Sequence, residues 1–289
     1  MTALSDFLPP GAALLVSAHA DDKVLSHHDG AWTEISLPGP RGISAAAGGT
    51  SVVTRDAIVV FNEAGMQVRT LHVGPLFGHE VIRDQSGITH VCAAAYSALR
   101  GFNDLGQDLS IWRVPGVDPS DDNRSHINGI AALNGQPRYV TCLGLSNTAN
   151  GWRERAAVGQ GVLLDVVTGQ VVLEGLTMPH SPRCRGEVVY FLNSGLGQLC
   201  SWAPGDMAMS IRAALPGFAR GLVLTGEHAL VGISQGRGTA MPAVQTDPFA
   251  QPGIAVINLG TGALDHFETL DVQEIFDVQI AAAPLVRHP

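Results

Sequence analysis

Apolar runs of four to seven residues, each closed by a turn, recur along the chain: AALLVSA, TSVVT, AIVVF, ITHVCAA, RYVTCLG, GVLLDV, VVLEGL, EVVYFL, HALVGI and GIAVINL. Val, Ile and Leu dominate them and Gly, Asn, Asp or Pro lies nearby, the pattern of short strands separated by turns. Asp165–Gly169 before QVVLEGL and Asn258–Gly262 before ALDHFETL predict two hairpins of one design. Each supplies an Asx acceptor and a glycine able to take positive φ. No amphipathic stretch reaches three helical turns. Gln107–Asn123, with Pro115 and Pro119, reads as a loop, and His27-His28 beside Asp29-Gly30 as a turn with solvated imidazoles.

A second pattern has a longer period. A polar residue near Gly or Pro precedes an apolar strand at Arg41-Gly42-Ile43, Gly78-His79-Glu80-Val81, His126-Ile127-Asn128-Gly129-Ile130, Pro179-His180-Ser181-Pro182-Arg183, Ala219-Arg220-Gly221-Leu222 and Glu274-Ile275-Phe276-Asp277-Val278. These anchors are 37 to 54 residues apart, and a four-stranded propeller blade takes about 40–50 residues. Six anchors predict an all-β, six-bladed β-propeller, one domain over residues 1–289. The last anchor leaves too little chain for a whole blade. Strands near Leu14–Ser17 and Val24–His27 are expected to complete it, so that the N- and C-terminal strands share a blade and close the ring. A β-sandwich accounts for the strands but not for the regular anchors.

Hydrophobic residues make up 45% of the chain and charged residues 15%, enough apolar material for a core of this size. The net charge of −9, with no Lys/Arg run, argues against nucleic acid as a partner. No apolar run approaches the roughly 18–20 residues that span a bilayer, so no membrane partner is expected. The start lacks a basic n-region and carries Pro9-Pro10, so a signal peptide is not expected and the location predicted is cytoplasmic. Cys92, Cys142, Cys184 and Cys200 stand at no metal-ligand spacing and read as reduced, mostly core thiols.

The innermost strand of each blade runs along the central channel. Polar residues that open successive inner strands therefore converge on one channel mouth. If the anchors are equivalent, His79, His126 and His180 come from three adjacent blades and can hold a divalent transition metal, Zn, Fe, Cu or Mn, with positions left open. Glu80 or Glu274 would serve as base or further ligand, and Asp277 either joins them or ties blades together. Arg41, Arg183 and Arg220 suit an anionic substrate, by charge-assisted hydrogen bonds. Asn128 is a further substrate-binding candidate, as is Trp152 in the polar stretch Gly151–Arg155, which suits a pocket wall. His19, after the first strand, is placed to reach the same mouth. Gly232–Arg237 lacks the strand–turn–helix setting of a phosphate loop.

The segments His126-Ile-Asn-Gly-Ile-Ala131, Pro137-Arg-Tyr-Val-Thr141, Gly151-Trp-Arg-Glu154, Gly161-Val-Leu-Leu-Asp165, Met178-Pro-His-Ser-Pro-Arg183, Leu215-Pro-Gly-Phe218 with Arg220-Gly-Leu222, and Glu274-Ile-Phe-Asp-Val278 resemble, in order, a bacterial family of propeller proteins of unknown function. That family is distantly similar to the six-bladed strictosidine-synthase and gluconolactonase propellers. The resemblance implies the propeller and carries no settled reaction. The calcium ligands of gluconolactonases are not matched here.

Three functions follow. The first is a metal-dependent enzyme acting on a small polar or anionic metabolite at the channel mouth, in specialised biosynthesis, by lyase, isomerase, hydrolase or oxygenase chemistry. The second is a non-catalytic propeller that binds a ligand or a protein. The third is a metal-free enzyme of strictosidine-synthase type, with His180 or Glu274 as acid or base.

Overall fold

The computed structural model describes residues 2–155, 159–235, 246, 247 and 249–287, with backbone alone at 154 and 155. The apolar runs become β1 (Ala13–Ala18), β2 (Lys23–His28) and β3 (Ala31–Ser36), then five sets of four. Blade 1 is β4 (Ile43–Ala46), β5 (Gly49–Val53), β6 (Ala57–Phe61) and β7 (Gln67–His72). Blade 2 is β8 (Gly78–Arg83), β9 (Thr89–Ala93), β10 (Ala98–Phe102) and β11 (Asp108–Arg113). Blade 3 is β12 (Ile127–Leu133), β13 (Gln136–Cys142), β14 (Gly161–Asp165) and β15 (Val171–Leu176). Blade 4 is β16 (Pro179–Arg185), β17 (Val188–Asn193), β18 (Gln198–Trp202) and β19 (Ser210–Ala214). Blade 5 is β20 (Phe218–Thr225), β21 (His228–Ser234), β22 (Gly253–Asn258) and β23 (Leu264–Thr269).

The remaining strand, β24 (Asp277–Ala281), pairs antiparallel with β1, Asp277 opposite Ser17 and Ala281 opposite Ala13. Blade 6 is therefore β24-β1-β2-β3, and the ring closes through strands from both ends of the chain, as the short last anchor predicts. The inner strands β24, β4, β8, β12, β16 and β20 pack side by side around one axis. Both predicted hairpins form: Asp165 Oδ1 accepts from the Val167 amide and Asn258 Oδ1 from the Gly260 amide, with Gly169 and Gly262 at φ 70° and 74°.

Every sheet is sandwiched between two others, which is why the strands read as unbroken apolar runs: both faces of β1 and β14, for example, are buried. One apolar cluster fills each junction between neighbouring blades. Two expectations are corrected. Gln107–Asn123 contains β11, an outer edge strand whose Leu109 and Ile111 face solvent, so that packing on β10 forms it and not an apolar run. His27-His28 ends β2, with His27 buried and its ring 5.0 Å from Trp32. Gly236 and Arg237 of the rejected phosphate-loop stretch lie outside the described residues. Among the described residues no helix is long and apolar enough to cross a membrane.

The axis itself is filled by charge. Arg183 of blade 4 lies 3.1 Å from Glu80 of blade 2 and 3.3 Å from Asp277 of blade 6. Glu80 Oε2 also accepts from the Ile130 amide of blade 3, and Asp277 Oδ2 from the Ile43 amide of blade 1. Three side chains thereby touch five inner strands. Blade 5 is tied by Ser181 Oγ, which accepts from the Gly221 amide. Gly221 sits at φ 74°, and a Cβ there would come within 2.4 Å of the Val278 nitrogen, so only glycine lets β20 and β24 approach this closely.

Removing Arg183 leaves two buried carboxylates without their cation, and Arg183→Ala should cost about 3–5 kcal/mol in chemical denaturation. Burial, opposed by Arg183, pushes Asp277 up to about 7, against about 3.9 for a free aspartate. Its stabilising contribution is complete below the unfolded value and is lost as pH rises through the folded one. Wild type should therefore lose ground to Asp277→Asn between pH 5 and 8, by at most roughly 1.4 kcal/mol per pH unit, read as melting temperatures across that range.

Candidate functional site

The beginnings of the inner strands meet at one end of the axis. β8, β12, β16 and β20 each carry a β-bulge within their first few residues. A bulge breaks strict side-chain alternation. His79 thereby joins the mouth while its neighbour Glu80 joins the axial triad. The residues just before β8, β12 and β16 are left-handed without being glycine: Phe77 at φ 46°, His126 at 51° and Met178 at 51°. Such conformations persist only where the surroundings fix them, and they gather at functional sites.

The three histidines come together but are not equivalent. Gly78, Ile127 and Pro179 each pair with the last residue of the following strand. On that register His79 matches His180 and Asn128, whereas His126 sits two residues earlier, in line with Phe77 and Met178. The His79 and His126 rings meet edge to face, centroids 4.5 Å apart. Trp152, on the short helix α1 (Trp152–Arg155), has its ring 4.1 Å from that of His126, and the Asn123 carboxamide holds His126 Nδ1 at 2.9–3.1 Å. His180 Nδ1 is 2.9 Å from the Met178 carbonyl and 3.1 Å from Ser194 Oγ, which itself donates to the Ala219 carbonyl. A carbonyl only accepts, so the His180 proton sits on Nδ1 and Nε2 is the basic nitrogen.

Phe276 is the hub of this mouth, and the sequence reading missed it. His79 lies 5.1 Å from its ring and His19 5.6 Å, while the guanidinium carbons of Arg41 and Arg220 stand 5.7 and 5.0 Å from the same centroid. Glu274 pairs with Arg220 at 2.5 Å, and Arg41 donates to the Gly78 carbonyl at 3.1 Å. His19 thus reaches the mouth, as its position after β1 suggests. Phe218, 5.8 Å from His180, was also missed. The signal available for Phe276 was an aromatic between the two carboxylates, Glu274 and Asp277, of the last anchor.

Burial holds His79 well below the usual histidine range, and the charges of His126, Arg41, Arg220 and His180 push the same way. Burial and then Arg41 lower His19, against Glu274. The mouth is therefore cationic through its arginines, while His79 and His19 are kept neutral. The opposite end of the axis is an apolar depression of about 250 Å³, with Arg183 and Gln279 as its strongly polar lining groups.

The structure uses other predicted residues elsewhere. Glu80, Arg183 and Asp277 form the axial triad. Asn128 is buried, donates to the Pro179 carbonyl and accepts from Thr141, tying blade 3 to blade 4. Among the described residues no group of three or more His, Cys, Asp or Glu is arranged to hold a metal ion.

The fold and mouth define a six-bladed β-propeller with an arginine- and histidine-lined channel entrance. Residues 56–289 match a family described as a domain of unknown function, DUF4915, and the chain belongs to that family. No curated protein matches the sequence. Similar solved structures share the fold. One is a nidogen/laminin complex at 9% identity and TM-score 0.67, covering 94% of this chain and 99% of that one. Another is a protein of unknown function from Bacteroides caccae at 12% identity and TM-score 0.64, covering 93% and 98%. A third is an inactive histidine-to-alanine variant of virginiamycin B lyase from Staphylococcus aureus with quinupristin, at 11% identity and TM-score 0.52, covering 78% and 74%.

A buried neutral His79 makes a signed prediction. Its contribution to stability is present above the unfolded value of about 6.5 and is lost as pH falls. Wild type should lose ground to His79→Phe in melting temperature between pH 7.5 and 5. An unchanged difference would mean that His79 is not held neutral.

Proposed function

We propose that the channel mouth is the site of an enzyme that binds a small anionic metabolite and moves a proton on it without a metal. The observation that carries this reading is the pairing of two guanidinium groups, Arg41 and Arg220, with neutral His79 around the single ring of Phe276. Arginines recognise carboxylate and phosphate through planar, bidentate hydrogen bonds. Imidazoles held neutral beside them are ready to accept a proton once a bound anion has offset the local positive charge. His180 is the base: its Nδ1 is committed to Met178 and Ser194, which orients Nε2. Trp152 and His126 form the wall that keeps water from one side. Glu274 sets the position of Arg220 and is not free to act as the base.

A metal on His79, His126 and His180 has less support, because among the described residues no group of three or more His, Cys, Asp or Glu is arranged to hold one. A histidine is needed for catalysis in another propeller, since a histidine-to-alanine variant of virginiamycin B lyase is catalytically inactive. The likeness to that protein is one of fold and says nothing about substrate.

The test is a thermal-shift screen of purified protein against a library of neutral, cationic and anionic metabolites, with turnover of each hit followed by NMR. Hits should be carboxylates or phosphates, lost in Arg41→Ala, and turned over by wild type but not by His180→Ala. Hits that bind and never change would make this a binding propeller. About one equivalent of a transition metal in elemental analysis, absent from a His126→Ala/His180→Ala variant, would overturn the metal-free reading.

A further inference from the structure

We infer that a cleft beside the mouth, between blades 6 and 1, is the subsite that seats the substrate's oxyanion group between Arg41 and Arg55; this rests on the reading of the mouth as a site for anionic metabolites. The cleft has a volume of about 390 Å³, and its walls include His19, Arg41, Arg55, Asp56 and Phe77. That is the size of a small-metabolite site.

Its charges are unbalanced in a way that suits an anion. Two guanidinium groups face one carboxylate, Asp56, and among the described residues no ion pair joins Asp56 to either of them. After burial, Arg55 is the main influence that lowers Arg41, with Glu274 opposing it. Arg41 Nε is buried and makes no hydrogen bond among the described residues, although Nη1 is held by the Gly78 carbonyl. The Arg55 guanidinium lies over the face of Phe77, 4.7 Å from its centroid. Stacking on a ring orients the planar fork without using its N–H donors. Phe77 is 39% exposed yet left-handed at φ 46°. A bulky side chain seldom takes that conformation, and here it fixes the ring as a cleft wall.

Arg41 belongs to both sites. It lines the cleft and also stands 5.7 Å from Phe276, with His19 on the same side. A ligand anchored between Arg41 and Arg55 would extend over Phe276 toward His79. The shared chemistry is a carboxylate or a phosphoryl group, and Arg55 becomes a specificity-determining residue that composition and spacing did not single out.

Isothermal titration calorimetry at low ionic strength, with inorganic phosphate and with malonate as separate probes, tests this. At least one should bind wild type, and the tighter one indicates a phosphoryl or a carboxylate substrate. Arg55 is exposed, so Arg55→Ala should fold normally; it should weaken the tighter probe at least tenfold, with Arg55→Lys restoring part of the loss. Wild-type affinity in Arg55→Ala, or no binding of either probe to wild type, overturns the subsite. If Arg220→Lys loses the probe while Arg55→Ala keeps it, the anion sits at the mouth: the subsite falls and the reading of the mouth stands. The mouth reading fails separately, when the metabolite screen gives no hit that depends on Arg41 or His180.

Discussion

Wedge-shaped sheets arranged in a ring leave a hole where their inner edges meet, and everything else in this propeller depends on how that hole is filled. Here the filling is Arg183 between Glu80 and Asp277, braced by the Ile130 and Ile43 amides. Burying three charges is expensive unless each is paired and hydrogen-bonded. The arrangement nearly meets that condition, with one cation for two carboxylates, and burial, only partly offset by Arg183, leaves Asp277 raised. What it supplies is positional. A ring of apolar blades could slide in register, whereas an axial triad with named partners on five strands sets each blade's height. Ser17 reinforces this at the closing blade, where its hydroxyl donates to the Arg41 carbonyl and accepts from the Asp277 amide.

That fixed height makes the mouth possible. The bulges at the starts of the inner strands divide labour between adjacent residues: His79 upward and Glu80 inward on β8, His180 upward and Arg183 inward on β16. Site and framework are thus built from the same few residues of each anchor. The strongest influences on the framework charges come from within the framework. The groups that shift Arg183 are Glu80, Asp277 and Cys92, whereas those that shift His79 are His126, Arg41, Arg220 and His180.

The fold was legible because blades repeat. Turn chemistry, apolar runs and six anchors gave blade number, inner strands and ring closure. What was not legible followed from the same regularity. The anchors treat His79, His126 and His180 as equivalent, but the bulges and left-handed residues put His126 two positions off that register, and no sequence spacing reveals a bulge. Glu80, Arg183 and Asn128 carry the residue types of a binding site and are used for structure, because a polar residue on an inner strand serves equally well pointing along the axis or out of it. Phe276 and Arg55 were passed over for the opposite reason: an aromatic and a lone surface arginine look ordinary until the fold sets cations around the one and a cleft beside the other.

The character of the mouth then follows from linkage. Protonation of His79 is opposed by burial and by the positive charge of Arg41 and Arg220, and the same two cations attract an anion. Binding an anion and binding a proton are therefore mutually reinforcing, since each offsets the field that opposes the other. By reciprocity the factor by which the anion raises proton affinity is the factor by which the proton raises anion affinity. On the reading proposed above, the site would take up a proton as it binds its ligand, so that a neutral imidazole would become an acid only when an anion is bound. Arginines alone would bind without reacting, and exposed histidines would titrate with the solvent; the burial of His79 beside Phe276 couples the two.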